Sequence, residues 1–238
     1  MKFLINCLEE YGSASPVIHT FYWNTITEIV EYLIDLHKNA INVLEVGPGT
    51  IPFPIATHFI GYNETIKNYI NIDIDVSIFP YRSQFFDFVY CRHVLEDIQN
   101  PDHAFSEIQR TAKYGYIETP SPMVEISKGI DGHNDGKHTG YIHHRYIVWS
   151  FENTIYFLPK YPIVEYLPMN EKYNSILNRY PVYWNNYFLF DQNSKIVIYK
   201  NGVNMDIIKD YKSIIETAIK QSFLNTNQFI KQVFNGKP

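Results

Sequence analysis

Cysteine is nearly absent: Cys7 and Cys91 are the only two in 238 residues. The chain therefore has no disulfide framework and no cysteine-based metal site. Charge of one sign is scarce too. The formal net charge is −5, and no block of five or six like charges occurs anywhere. Electrostatic capture of nucleic acid or of an anionic membrane gains little support from such a chain. The longest apolar runs fall well short of the roughly 18 residues that suggest a membrane span. Met1 to Leu8 carries one basic residue and a brief apolar stretch, and Glu9 and Glu10 follow at once. That is a poor secretory signal, so a cytoplasmic protein with no membrane partner is expected. Repeats and low-complexity linkers are missing as well. The length suits one well-buried core and is short for two full domains, so residues 1–238 are read as a single domain.

What is present is an ordinary globular composition, 45% hydrophobic and 19% charged, with an unusual 16% of aromatic residues. The aromatics fit either codon bias in an AT-rich genome or a stacking surface for a sugar or base. Residues 23–38 have the apolar spacing of an amphipathic helix. Ile41–Val46 is a short apolar run stopped by Gly47–Pro48–Gly49, a buried strand running into a glycine turn. Thr57–Ile60, Tyr69–Ile72, Phe86–Cys91 and Tyr114–Glu118 read as four further strands. His93 to Thr111 reads as helical, with Pro101 breaking or restarting it. Strand–helix alternation over residues 41–119 predicts a parallel sheet with helices on both faces.

The remainder differs in kind. Residues 121–144 read as a polar loop rich in His and Gly. Arg145–Trp149 with Thr154–Leu158, and Tyr187–Phe190 with Lys195–Tyr199, read as two hairpins. Residues 205–223 carry the apolar stripe of a last amphipathic helix packed on the core.

The chemistry begins at Glu45–Val46–Gly47–Pro48–Gly49–Thr50. Two glycines without Cβ atoms let a ligand approach the backbone after a strand. Pro52 stands where a dinucleotide fingerprint needs its third glycine, which argues against NAD or FAD. Val43–Thr50 resembles motif I of the class I methyltransferases that use S-adenosylmethionine (SAM). Phe86–Asp97 resembles their fourth strand and the start of the following helix. Asn100–Pro101 and Ser106–Arg110 continue the match, and Gly115–Pro122 is similar to their fifth strand and its exit. The likeness covers about residues 41–122 in consistent order.

This resemblance implies an α/β fold, a Rossmann-like doubly wound sheet of the class I methyltransferase type. The His-rich lid and the C-terminal β-hairpin and helix would be additions to it, spanning about residues 123–238. It implies SAM as cofactor, with S-adenosylhomocysteine (SAH) as product. Carried over, Glu45, Gly47, Pro48 and Gly49 would face the amino-acid end of SAM, with Glu45 accepting from its ammonium or from a backbone amide. The acid that usually grips the ribose falls at Gly61, with Asn63 or Glu64 as substitutes. A short proline-rich connection, Ile51–Pro54, implies a reduced first helix. Asp73 would sit by the adenine and Ile74 would pack on its ring. In the competing alignment Asn71–Asp75 is the second strand and Asp73 the ribose ligand. Cys91, Arg92 and His93 leave the fourth strand beside the expected sulfonium, and Asp87 is read as structural.

Methyl transfer is an in-line displacement from an activated donor, so alignment and exclusion of water are the main tasks. A hydroxyl acceptor also needs a base, and histidine suits that near neutral pH. His93 is the first candidate, although a histidine starting a helix can merely bond backbone. His143 and His144 are the others, on a Gly-Tyr-x-His-His-Arg segment similar to one in related bacterial and viral methyltransferases. His133, His138, Tyr141 and Arg145 are the candidate substrate contacts of a lid. Asp131, His133, Asp135 and His138 match no known metal signature, so no metal is expected.

The expected function is thus methylation of a small molecule or of a sugar or glycan hydroxyl, with no nucleic-acid partner. Alternatives are a nitrogen, protein or nucleic-acid acceptor, or a SAM-binding regulatory module without catalysis, which Gly61 would favour. A homodimer built on the C-terminal elements is compatible with the sequence.

Overall fold

A computed structural model describes residues 16–62, 66, 69–131, 137–167, 170–199 and 205–235. Its main sheet has six strands. β1 (Val43–Val46), β2 (His58–Gly61), β3 (Tyr69–Asn71), β4 (Phe88–Arg92) and β5 (Gly115–Pro120) are parallel, and β8 (Asn185–Phe190) closes the edge antiparallel to β5. The order is β3-β2-β1-β4-β5-β8. The winding reverses between β1 and β4, which puts the topological switch point at their carboxyl ends, where open α/β sheets bind ligands. The expected Rossmann-like sheet is present.

Its winding carries few helices. α1 (Pro16–Leu36) precedes β1, and α2 (Pro101–Thr111) is the one helix described between successive parallel strands. Pro101 sits at the start of α2, where its missing N–H costs nothing, and residues 93–100 are turns rather than the helix expected there. No helix forms after β1, so the implied reduced first helix is instead irregular chain. Pro52 and Pro54 cannot donate to a helix. Phe53 between them turns inward and stacks on Tyr90 with ring centroids 4.3 Å apart. α1, Phe53 and the last turns of α5 (Met205–Asn235) cover one face of the sheet through Trp23, Ile29, Leu33, Tyr116, Phe229 and neighbours. The high aromatic content is spent largely in these cores.

The other face packs on α2 and on a second sheet of three strands, β6 (Tyr146–Phe151), β7 (Thr154–Pro159) and β9 (Lys195–Ile198). The first expected hairpin is β6–β7, paired antiparallel. The second does not form. Its two arms part, β8 joining the main sheet and β9 running parallel to β7. The turn between them explains the split. Asn153, in the β6–β7 turn, bonds Asp191 and Ser194, its carbonyl takes the Lys195 amide at 2.9 Å, and Gln109 of α2 donates to the Asp191 and Ser194 carbonyls. Those bonds draw the chain to the neighbouring sheet instead of back along β8.

Part of the stretch read as a polar loop is also core. α3 (Pro122–Glu125), capped by the Ser121 hydroxyl accepting from the Val124 amide, is buried throughout. With Ile147, Trp149 and Leu158 of the second sheet, α4 (Asn170–Arg179) and the first half of α5, it forms a third cluster. Among the described residues no helix is long and apolar enough to cross a membrane.

Since Phe53 substitutes for a helix, Phe53→Ala should cost about 3–4 kcal/mol and lower the melting temperature by roughly 8–12 °C in calorimetry. Phe53→Leu should recover more than half of that loss.

Candidate functional site

The carboxyl ends of β1, β2 and β4 meet at the switch point. Gly47 follows β1 with φ +65°, and its N–H donates to the Ile60 carbonyl at 2.8 Å. A Cβ there would collide with the Val94 side chain. Gly61 ends β2 with φ +132°, and a Cβ on it would lie 2.9 Å from the Tyr69 hydroxyl and 3.3 Å from the Cα of Gly47. Both glycines thus hold backbone where side chains do not fit, packed against Val94, Tyr69 and each other. Gly61 is more than a lost acid, because Tyr69 fills the space an acid would need. The strand pairing places Asp73 after β3, so the alignment making Asn71–Asp75 the second strand is not the one adopted. Asp73 is exposed, bonds the Tyr62 hydroxyl and accepts the Asp75 amide at 3.0 Å. Ile74 points into the core and is 6% exposed. Asn63, Glu64, His133 and Asp135 lie outside the described residues.

Glu45 is buried in β1 and accepts the Phe53 amide at 2.8 Å, so it ties down the proline loop. Burial pushes its carboxyl up to about 8, against the opposing pull of that amide and of Arg92. Cys91 is fully buried among apolar side chains, and burial raises its thiol well above the ordinary range. Such a thiol is inert packing.

Arg92 and His93 leave β4 opposite Glu118 of β5. Arg92 donates to Glu118 at 2.7 Å and to the Tyr22 hydroxyl at 2.7 Å, and its guanidinium lies over Trp23. Tyr116 and Asn185 also donate to Glu118. Burial alone would raise the Glu118 carboxyl, but Arg92, His93 and Tyr116 hold it down at about 2. His93 adopts φ +52°, a costly conformation for a residue with a Cβ, and its amide donates to the Glu118 carbonyl at 2.8 Å. Its ring stands 3.5 Å from the Glu118 carboxylate and 3.3 Å from that of Glu96. Burial and Arg92 pull the imidazole down, the two carboxylates outweigh them, and the net shift is upward.

Next to this corner lies a second one. His144 is buried, and its Nδ1 is 2.6 Å from Glu125 of α3, whose other oxygen accepts from Lys160 at 2.6 Å. Burial would lower the His144 imidazole, but Glu125 raises it. His143 is mostly exposed, and its ring packs edge-on against that of His144. Tyr141 leans on both histidines, and its carbonyl takes a Lys160 proton. The carbonyl of Glu96 accepts the amides of Arg145 and Tyr146, which joins the histidine segment to the segment after β4. A cleft of about 510 Å³ opens beside it, lined by Gln99, Asn100, Arg145, Tyr146, Lys160 and Tyr161. His138 instead lies 3.8 Å from Glu165, and the Thr139 amide also bonds that carboxylate.

The geometry thus gathers Gly47, Arg92 and His93 at one corner and Tyr141, His143, His144 and Arg145 at the other. Sequence reasoning gave no role to Tyr22, Glu96, Asp97, Glu118, Glu125 or Lys160. Glu96, Asp97 and Glu118 fall inside the segments Phe86–Asp97 and Gly115–Pro122 that carry the family resemblance, so their positions were visible. Charged residues in apolar surroundings were the available signal for burial.

Glu45 generates a pH prediction. Its unfolded carboxyl ionises near the ordinary 4.5, while the folded one resists until about 8. Rising pH across that window therefore favours the unfolded state. Glu45→Gln keeps an acceptor for the Phe53 amide and should lose that slope, so its melting temperature should exceed that of the wild type at pH 8 but not at pH 4.5.

A search among curated proteins finds no significant match. Among solved structures, a SAM-dependent methyltransferase of Mesorhizobium loti is 17% identical, with 37% of this chain and 51% of that one covered and a TM-score of 0.30. A SAM-dependent methyltransferase of Thermotoga maritima is 13% identical, with 50% and 63% covered and a TM-score of 0.36. The YcgJ protein of Bacillus subtilis is 17% identical, with 38% and 51% covered and a TM-score of 0.29. The chain spans about half to two thirds of the length of these proteins. A family model described as a methyltransferase domain matches residues 19–155, more than half of the sequence. The chain belongs to this methyltransferase domain family, whose methyl donor is S-adenosylmethionine.

Proposed function

We propose that this chain binds SAM at the switch point of its sheet and methylates a hydroxyl of a small, oxygen-rich acceptor, with a sugar or glycan as the best fit. The observation that carries the reading is the pairing of two features at one sheet edge in a chain of this family. One is the glycine turn after β1, where Gly47 has φ +65° and meets Gly61 closely; the other is the imidazole of His93 between two carboxylates. The cofactor would lie against the main chain after β1, where the family's glycine turn falls at Gly47–Pro48–Gly49. Gly47, Pro48 and Gly49 would hold the amino-acid end, with Glu45 fixing the loop behind them. Asp73, exposed after β3 with Tyr62 and Asp75 bonded to it, would face the adenosine end.

When bound, the cofactor supplies a methyl group on a sulfonium; the acceptor oxygen gains the O–CH₃ bond as the S–CH₃ bond breaks and its electron pair stays on sulfur. The protein's part is orientation and proton removal. His93 faces Glu96 with Nδ1 and Glu118 with Nε2, so it would turn one nitrogen to the acceptor to take the hydroxyl proton, and the carboxylate still facing the other nitrogen would stabilise the imidazolium. Gln99, Asn100, Arg145 and Lys160 offer donors to acceptor oxygens, and Tyr141 and Tyr161 offer faces to a ring. The net charge of −5 favours such an acceptor over nucleic acid.

Thermal-shift titration tests the cofactor. SAM or SAH at 100 times its dissociation constant should add about 2.7 kcal/mol, roughly 5–10 °C, and NAD⁺ should add nothing. Gly47→Arg and Asp73→Ala should both lose the response. No shift at saturation would remove the reading. Turnover only with RNA or protein in an acceptor screen would remove the hydroxyl acceptor and keep the methyl transfer.

A second test is the pH profile. His93 is a base only when neutral, and its shift is upward from the ordinary 6.5. The rising limb of kcat/KM should therefore lie above pH 6.5, and it should disappear in His93→Gln together with most of the activity.

A further inference from the structure

Asp97, His143 and His144 are not explained by packing. One carboxylate oxygen of Asp97 and the Nε2 atoms of both histidines converge within 4.8 Å of one another. Nε2 of His144 is 3.8 Å from Asp97 Oδ1, and Nε2 of His143 is 4.0 Å from it. These separations are long for direct bonds, and Asp97 Oδ1, though buried, has no hydrogen-bond partner. Glu96 beside it is 1% exposed, and neither of its carboxylate oxygens has a hydrogen-bond partner either. Its charge acts on both Asp97 and His144. Asp97 is half-exposed and Glu96 has His93 at 3.3 Å, yet the buried oxygens named here make no hydrogen bond, and a cation would satisfy them.

The surroundings of His144 point the same way. Its Nδ1 faces Glu125 at 2.6 Å, and Glu125 is itself fixed by Lys160. A histidine whose Nδ1–H is held by a carboxylate turns a lone pair outward on Nε2, which is the outer-sphere arrangement that orients imidazole toward a metal. Here that lone pair faces Asp97. We infer that Asp97, His143 and His144 form a binding site for one divalent metal ion, with Glu96 adding negative charge behind it. Two imidazoles and one carboxylate suit Zn²⁺, Mn²⁺ or Fe²⁺ better than Mg²⁺. Ligands of a tetrahedral ion lie about 3.4 Å apart, so a small inward movement of the exposed His143 would complete the set. Three protein ligands also leave positions open, as in catalytic rather than structural sites.

The site is continuous with the proposed acceptor cleft: Asp97 precedes Gln99 by two positions, and His144 precedes Arg145. On the methyl-transfer reading, the ion would bind the acceptor through its oxygens and acidify the hydroxyl to be methylated. That selects acceptors with two oxygens on neighbouring carbons, able to chelate.

The test uses the full chain, stripped with a chelator and dialysed against Zn²⁺, Mn²⁺ or Mg²⁺ separately, with bound metal counted by mass spectrometry. Co²⁺ serves as a spectroscopic probe of nitrogen ligation. The wild type should take up one equivalent of Zn²⁺ or Mn²⁺ and bind Mg²⁺ weakly. His143→Ala, on an exposed side chain, and Asp97→Asn should each weaken binding by about tenfold or more, and the Co²⁺ spectrum should change in His143→Ala. Uptake that is absent, or equal in wild type and both variants, would overturn the site. SAM titration of the metal-loaded and the stripped protein runs alongside: no SAM binding in either form would sink the methyltransferase reading while leaving the metal result to stand.

Discussion

The carboxylate of Glu118 is the point on which the rest of the molecule depends. It is buried in β5, yet it stays ionised because Arg92, His93, Tyr116 and Asn185 surround it. Those partners come from β4, β5 and β8, and Tyr22 of α1 joins through both Arg92 and Asn185. One charge thus fastens three strands and the first helix at the carboxyl edge of the sheet. Breaking a buried pair of this kind by deleting one partner typically costs about 3–5 kcal/mol, since the other charge is stranded. The same network reaches His93, whose imidazole Glu118 and Glu96 together raise against burial and Arg92.

Around that anchor the sheet is held with few helices. Phe53 against Tyr90 covers what a helix after β1 would cover, and the second sheet covers the opposite face. Leaving those crossovers irregular brings loops, rather than helix termini, to the switch point. The left-handed backbone at Gly47 and at His93 is part of this arrangement. At Gly47 it lets the main chain pass close to Val94, and at His93 it turns an imidazole into the corner where the β4 segment meets the histidine segment. The two corners are joined by the Glu96 carbonyl, which takes the amides of Arg145 and Tyr146.

Much of this was legible in the sequence. All five parallel strands, the switch-point glycines, the β6–β7 hairpin and the last helix as far as residue 223 follow from apolar periodicity and glycine punctuation, while that helix runs on to Asn235. What was not legible has a common physical origin in long-range partners. The segment Tyr187–Tyr199 has the local pattern of a hairpin, and only Asn153 and Gln109, distant in sequence, divert it. Residues 93–100 have helical spacing, yet Asp75 takes the amides of Gln99 and Asn100 and holds them in turns before Pro101 starts α2. Glu96, Glu118 and Glu125 look like solvated charges in one dimension, and their burial depends on Arg92, Lys160 and histidines brought in by the fold. At the site, His93 and the pair His143–His144 stood out by residue type alone. Their carboxylate partners did not.

The most direct test is a proton NMR titration of the His93 ring in the wild type and in Glu118→Gln. The account predicts a wild-type value above the ordinary 6.5 and a clear drop in the variant, where Glu96 alone still opposes burial and Arg92. An identical value in both proteins would contradict it, because Glu118 would then bind strands together without setting the histidine that is assigned the acceptor's proton.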